Sequence, residues 1–286
     1  MKPGELKVFF RSKLKGIYPS EEIDSFFYLL LEAWLGYSRL DLALKSNSTI
    51  PSEVQKKIED AIQRLEQEEP IQYIIGSTEF YGLNFKVTPS TLIPRPETEE
   101  LVDWIIKEHD NCKTLLDIGT GSGCIAIAIG KNLPNARVSG LDISEETLEI
   151  ARGNALDNRT KVDFRKMDII ETTSLPGTYD LIVSNPPYVR ETEKAQMKDN
   201  VLKYEPARAL FVSDDDPLLF YRHIAELSKT ALKDRGWLLF EINEYLGEEM
   251  ISLLKGSGFE NIELKKDFRG KDRFIQGQYL RNDQTE

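Results

Sequence analysis

Cysteine and histidine are scarce in this 286-residue chain, which has two of each: Cys112, Cys124, His109 and His223. Two cysteines build neither a disulfide framework nor a metal-ligand spacing, so both are expected as reduced thiols. Without clustered His or Cys ligands, no metal is expected. Long apolar runs are missing as well; none approaches the roughly 18 residues of a membrane span. Met1-Lys2-Pro3 leads into no apolar signal core, so the expectation is a cytoplasmic protein with no membrane partner. Positive charge is also short, with 37 Lys+Arg against 48 Asp+Glu and a net charge of −11. That balance disfavours a broad basic surface, and no stable nucleic-acid binding is expected.

What is present is a composition of 40% hydrophobic and 30% charged residues, ordinary for a globular chain long enough for one or two domains. The first part reads as helices. Glu5–Lys15 carries an apolar stripe of Leu6, Phe9, Phe10 and Leu14, and Ser20 opens a stronger helix running to Gly36. A short helix is expected over Arg39–Leu44 and another over Ser52–Glu66, introduced by Pro51. Residues 1–70 hold ten Lys+Arg against twelve Asp+Glu, too neutral a surface for a DNA-binding helix-turn-helix. The domain reading is a helical docking domain over 1–72, a β-hairpin linker over 73–93 and a catalytic domain over 94–286. The hairpin is expected from Thr78–Tyr81 and Leu83–Thr88, and a helix from Glu97 to Lys107.

From residue 113 onward strands and helices alternate, which argues for a doubly wound sheet with ligands at the strand carboxyl ends. A buried strand, Lys113–Ile118, runs into the turn Asp117-Ile-Gly-Thr-Gly-Ser-Gly123 and then a helix, Cys124–Lys131. Gly119, Gly121 and Gly123, with Thr120 and Ser122 between them, let backbone approach a ligand closely. A dinucleotide site would want Gly or Ala where Cys124 stands, so a nucleoside cofactor without pyrophosphate is favoured. The second strand, Ala136–Asp142, ends in an acid suited to ribose hydroxyls. The third leads to Asp168, suited either to an adenine amino group or to capping the next turn, with Ile169 beside it for the adenine face. Asp117 is expected to hold the glycine turn or the methionine end.

The fourth strand, Tyr179–Ser184, leads into Asn185-Pro-Pro-Tyr188. A planar, conjugated nitrogen is a weak nucleophile unless it is held in line with its hydrogens on acceptors. Asn185 supplies a neutral acceptor oxygen, the Pro186 carbonyl a second, and Pro186 and Pro187 fix the backbone and remove competing N–H donors. Tyr188 is expected to lay its ring against the substrate and the cationic donor. With the glycine turn, this predicts methyl transfer from S-adenosylmethionine to an sp² nitrogen, leaving S-adenosylhomocysteine. The charged stretch Arg190–Lys203 reads as a lid or substrate wall. Beyond it a helix over Leu218–Asp234, a strand over Gly236–Ile242, a helix over Gly247–Gly256 and a closing pair, Phe259–Leu264 and Arg273–Tyr279, are expected.

These motifs, together with Pro70–Gly76, Glu79–Leu83, Pro94-Arg-Pro-Glu-Thr-Glu99, Tyr204-Glu-Pro206 and Asp267–Arg273, resemble the bacterial release factor glutamine methyltransferases, the PrmC/HemK family, over essentially the full length. The resemblance implies an α/β fold of the class I S-adenosylmethionine-dependent type, a Rossmann-like seven-stranded sheet behind an N-terminal helical bundle and hairpin linker. It implies N5-methylation of the glutamine in the Gly-Gly-Gln loop of peptide chain release factors, gripped in part by the helical domain. Cofactor roles then fall on Gly119–Gly123, Asp142, Ile169 and Asn185, and substrate roles on Asn185, Pro186, Pro187 and Tyr188. Arg95 is read as an anchor for either an acid or the substrate loop. Some relatives carry an aromatic residue where Ile169 stands, and often a glycine where Asn243 stands.

Two other readings remain. An adenine-N6 methyltransferase would receive an unstacked base at Asn185–Tyr188, supported by the basic run Lys265, Lys266, Arg269, Lys271 and Arg273. A non-catalytic binding protein would keep the fold as a scaffold. An enzyme embracing a protein substrate can work as a monomer, which is the expectation.

Overall fold

The computed structural model describes residues 1–281, so the last five residues of the expected catalytic domain lie outside the described residues. Two compact units emerge: residues 1–76 with 198–204, and residues 77–197 with 205–286.

The first unit is helical because its apolar residues recur at helical spacing and its ends carry stop signals. Helices α1 (Pro3–Leu14), α2 (Ser20–Leu35), α3 (Arg39–Leu44) and α4 (Ser52–Leu65) follow the expected order. Gly36 closes α2 at φ 65°, a left-handed cap. The Ser38 hydroxyl accepts from the Asp41 amide while the Asp41 carboxylate accepts from the Ser38 amide, capping α3 from both directions. Leu6, Phe10, Phe27, Leu30, Ile58 and Leu65 meet in one buried cluster, with Phe9 only at its margin. A further single turn, α5 (Ile71–Ile75), precedes the hairpin although its isoleucines are β-branched and only moderate helix formers. Pro70 starts it, Gly76 ends it at φ 84°, and Ile71 and Ile74 join the helical core, so tertiary packing overrides local preference.

The second unit opens with the hairpin β1 (Ser77–Phe80) and β2 (Leu83–Lys86), then α6 (Pro96–Glu108). There follow β3 (Thr114–Ile118), α7 (Cys124–Asn132), β4 (Arg137–Asp142), α8 (Glu145–Asp157), β5 (Val162–Lys166) and β6 (Tyr179–Ser184). The charged stretch is structured: β7 (Val189–Arg190), a 3₁₀ turn over Glu191–Gln196, and α9 (Asp199–Tyr204), which belongs to the first unit. After α10 (Ala207–Leu210) and β8 (Phe211–Val212) come α11 (Leu219–Ala231), β9 (Leu232–Glu241), α12 (Gly247–Gly256), β10 (Phe259–Lys266) and β11 (Asp272–Tyr279).

Seven of the described strands form one sheet in the order β10-β11-β9-β6-β3-β4-β5. The run from β9 to β5 is parallel, and β11 and β10 complete it antiparallel. Chain progression reverses between β3 and β6, which is where a doubly wound sheet opens a crevice for ligands. The expected helix to Asp234 ends instead at Ala231. Leu232, fully buried, pairs with Tyr179, and the strand resumes in register only at Trp237, with Arg235 at φ 61° marking the bulge.

Candidate functional site

The glycine turn leaves β3 with Gly119, Gly121 and Gly123 at φ 74°, 55° and 82°, all left-handed. The amides of Gly119 and Thr120 both donate to the Leu141 carbonyl, pinning the turn to β4. Gly119 and Gly121 border a cavity of about 350 Å³. Gly123 serves packing: a Cβ there would stand 2.9 Å from Ile127 Cδ1 and 3.1 Å from Phe164 Cζ. Thr120 and Ser122 are buried outside the cavity lining, and the Thr120 hydroxyl donates to Asp117 Oδ2 at 2.6 Å. Asp117 thus holds the turn; burial raises its pKa to about 7, with the Thr120 hydrogen bond opposing.

Asp142 ends β4 on the cavity wall. Its Oδ2 accepts from the Gly121 amide at 3.0 Å and its Oδ1 from the Ser144 amide at 2.9 Å. Burial pushes this carboxyl up, and the two amides hold it back. Each oxygen keeps a further lone pair, since an ionised carboxylate offers about four acceptor sites. Asp168 also borders the cavity, but its Oδ1 accepts from the Ile170 amide at 2.9 Å, so it fastens the turn after β5. Met167, Ile169 and Ile143 supply apolar wall beside it.

Asn185, Pro186 and Pro187, directly after β6, open onto the same cavity. Tyr188 does not. Its ring packs against the cluster containing Tyr221 and Phe240, and its hydroxyl donates to Glu241 Oε1 at 3.1 Å. Burial, reinforced by Glu241, drives the phenol well above its ordinary range. Arg95 is also away from the lining: it pairs with Glu205 at 2.6 Å, and the same buried carboxylate accepts from the Ile93 amide. Of the two roles open to Arg95, the geometry shows the anchored acid. Asn243, at the position often glycine, has no left-handed backbone; its side-chain amide donates to the Tyr188 carbonyl and to Glu193.

Several lining residues escaped the sequence reading. Ser90, Thr91, Leu92, Arg208 and Ala209 line the cavity, and Arg208 donates to the Ser144 hydroxyl at 2.9 Å. Thr147 donates to the Ser90 carbonyl, tying that segment to α8. Thr98 and Glu241, both buried, hydrogen-bond one another at 2.7 Å. Only Thr98 had a signal, lying within the Pro94–Glu99 landmark.

Each cation of the basic run has a carboxylate partner: Lys265 with Glu108, Lys266 with Asp272, Arg269 with Glu97, Lys271 with Glu244 and Arg273 with Asp267. Among the described residues, no group of three or more His, Cys, Asp or Glu could hold a metal, and no helix is long and apolar enough to cross a membrane.

A predominantly apolar cavity with a few convergent acceptors, at the switch point of a parallel sheet, suits a nucleoside-bearing ligand. A family model described as the PrmC N-terminal domain matches residues 5–76, and one described as the methyltransferase small domain matches residues 97–210. The release factor glutamine methyltransferase of Flavobacterium psychrophilum is 49% identical over 93% of this chain and 95% of its own length. Its counterpart in Bacteroides thetaiotaomicron is 48% identical over 94% of this chain and 98% of its own length. Among solved structures, a methyltransferase from Pyrococcus furiosus aligns with TM-score 0.54 at 19% identity, over 78% of this chain and all of its own. The hMettl16 catalytic domain aligns with TM-score 0.57 at 15% identity, over 82% of this chain and 84% of its own, a likeness of fold alone.

Proposed function

The chain belongs to the release factor glutamine methyltransferases, and from that membership we propose that it methylates the side-chain amide nitrogen, N5, of the glutamine in the Gly-Gly-Gln loop of peptide chain release factors, with S-adenosylmethionine as donor. The observation that carries the reading is the meeting of Asn185-Pro186-Pro187 and Asp142 on one cavity at the sheet's switch point.

The residues present fit the donor. Asp142 keeps lone pairs free for ribose hydroxyls, Met167, Ile169 and Ile143 offer an apolar face for adenine, and Gly119 and Gly121 leave room at the backbone. When bound, S-adenosylmethionine supplies an electrophilic sulfonium methyl. Asn185 Oδ1 and the Pro186 carbonyl accept the two hydrogens of the glutamine amide, turning its lone pair toward the methyl. Neither proline brings an N–H to compete, and the acceptors are fixed before reaction, so little reorganisation is needed. No base is required before transfer, because the nitrogen becomes acidic only as it gains the methyl. Tyr188 and Asn243 hold the loop from behind, through Glu241 and through the Tyr188 carbonyl.

The helical residues 1–72 we assign to docking of the release factor, the hairpin over 73–93 to a linker, and residues 94–286 to catalysis, in a cytoplasmic monomer. The basic run is neutralised pair by pair, which takes away the support for an adenine-N6 nucleic-acid enzyme. Mass spectrometry of a release factor incubated with this protein and S-adenosylmethionine tests the proposal. One added methyl on the loop glutamine, absent when that glutamine is alanine, is expected; an unmodified factor with donor binding intact would refute it.

A further inference from the structure

Thr98, in the first turn of α6, and Glu241, the last residue of β9, stand 143 positions apart in sequence. Both are buried, at 3% and 1% exposure. The Thr98 hydroxyl donates to Glu241 Oε2 at 2.7 Å, and the Tyr188 hydroxyl donates to Oε1 at 3.1 Å. Thr98 Oγ1 in turn lies 3.5 Å from Asn185 Nδ2. A carboxylate accepts and does not donate, so the one hydroxyl proton of Thr98 is committed to Glu241. Thr98 is left with lone pairs alone, and whatever faces it must be a donor. Burial raises the pKa of the Glu241 carboxyl, and the Thr98 and Tyr188 hydroxyls and the positive charge of Arg273 oppose that rise.

We propose that Thr98 and Glu241 are positioning residues that set the orientation of the Asn185 amide, turning its NH₂ toward Thr98 and its carbonyl oxygen toward the substrate nitrogen. In the opposite orientation an NH₂ would meet the NH₂ of the substrate, donor against donor, and the acceptor on which alignment depends would be lost. Glu241 therefore acts at two removes from the chemistry, through a hydroxyl that has a single proton to give. This inference rests on the reading of Asn185 as acceptor for the substrate N–H.

The test compares wild type, Thr98→Ser, Thr98→Val and Thr98→Ala as ¹⁵N-labelled full-length proteins. The Asn185 side-chain amide cross-peaks are identified by their loss in Asn185→Asp, and donor Kd, kcat and KM are measured on the same samples. Thr98→Val and Thr98→Ala are expected to shift those cross-peaks and to lower kcat roughly 10-fold with donor Kd unchanged, whereas Thr98→Ser keeps the wild-type peaks and stays within about 2-fold. Thr98→Ala stands in if Thr98→Val does not fold. Cross-peaks that stay in place without the hydroxyl, or a loss of kcat as large in Thr98→Ser as in Thr98→Val, would overturn the proposal. Failure of the wild type to methylate a release factor would sink the functional reading instead, and the cross-peaks would still decide the amide orientation.

Discussion

Asn185 and Asp142 border one cavity with different tasks, so removing each should leave a different kinetic signature. Asn185→Ala deletes an acceptor that aligns the nucleophile, and kcat is expected to fall about 100-fold or more with donor Kd changed only a few-fold. Asp142→Ala removes the carboxylate offered to ribose and frees the Gly121 and Ser144 amides, so donor Kd should rise roughly 10- to 100-fold, the larger effect being on binding. Calorimetric donor binding beside single-turnover methylation separates the two, and equal effects in both variants would show the assignments to be wrong. Both residues were readable because each sits in a local motif, an acid closing a strand and an asparagine before two prolines. Glu241 was not readable. Its partners Thr98 and Tyr188 come from distant parts of the chain, and only the sheet brings them together.

Among the elements, the turn between β3 and α7 has little freedom. Gly123 combines φ 82° with a would-be Cβ in contact with Ile127, Phe164 and Ala151. Gly123→Ala is expected to destabilise the sheet unit by about 2–3 kcal/mol, the sum of left-handed strain and overpacking. Urea unfolding followed through the tryptophans would measure the loss, and a change within error would mean that the turn relaxes freely. The sequence reading gave this glycine a ligand role because the motif announces three glycines without saying which face the cavity and which face the core. The helix expected to reach Asp234 failed for a related reason: Leu232–Asp234 continue an amphipathic pattern, but Leu232 is taken by pairing with Tyr179. The strands around the site were legible because buried parallel strands read as short apolar runs between turn signals.

For the whole molecule, the excess of acid has consequences for partners and for stability. A net charge of −11 and a basic run tied up in ion pairs predict no salt-sensitive retention on DNA or RNA, measurable by fluorescence anisotropy at low ionic strength. Tight binding that weakens steeply with salt would revive the adenine-N6 reading. The helical unit, with ten Lys+Arg against twelve Asp+Glu over residues 1–70, is too neutral to hint at nucleic-acid recognition, while its packed core of Leu6, Phe10, Phe27 and Ile58 was plain from periodicity.

Stability against pH draws on the same acids with two opposite signs. Asp24, held by Arg11, is lowered to about 2, so its contribution is present above the ordinary carboxylate range and is lost as pH falls toward 2. Asp24 is partly exposed, its side chain at 25%, and ion pairs near the surface are weakly coupled, so this arm is shallow. Asp117 works the other way. Burial raises its pKa to about 7, so between about pH 4 and pH 7 the folded sheet unit keeps a proton that the unfolded chain has released. Folding binds protons in that window, stability must fall as pH rises through it, and above pH 7 the cost levels off on the order of 4 kcal/mol. Asp117→Asn keeps an acceptor for the Thr120 hydroxyl while removing the titration. The variant is therefore expected to lose most of the decline between pH 5 and pH 7 in calorimetric Tm of the sheet unit, and to be more stable than wild type at pH 8. A wild-type Tm that rises over that interval, or the same slope in both proteins, would place the Asp117 carboxylate in the ionised state throughout.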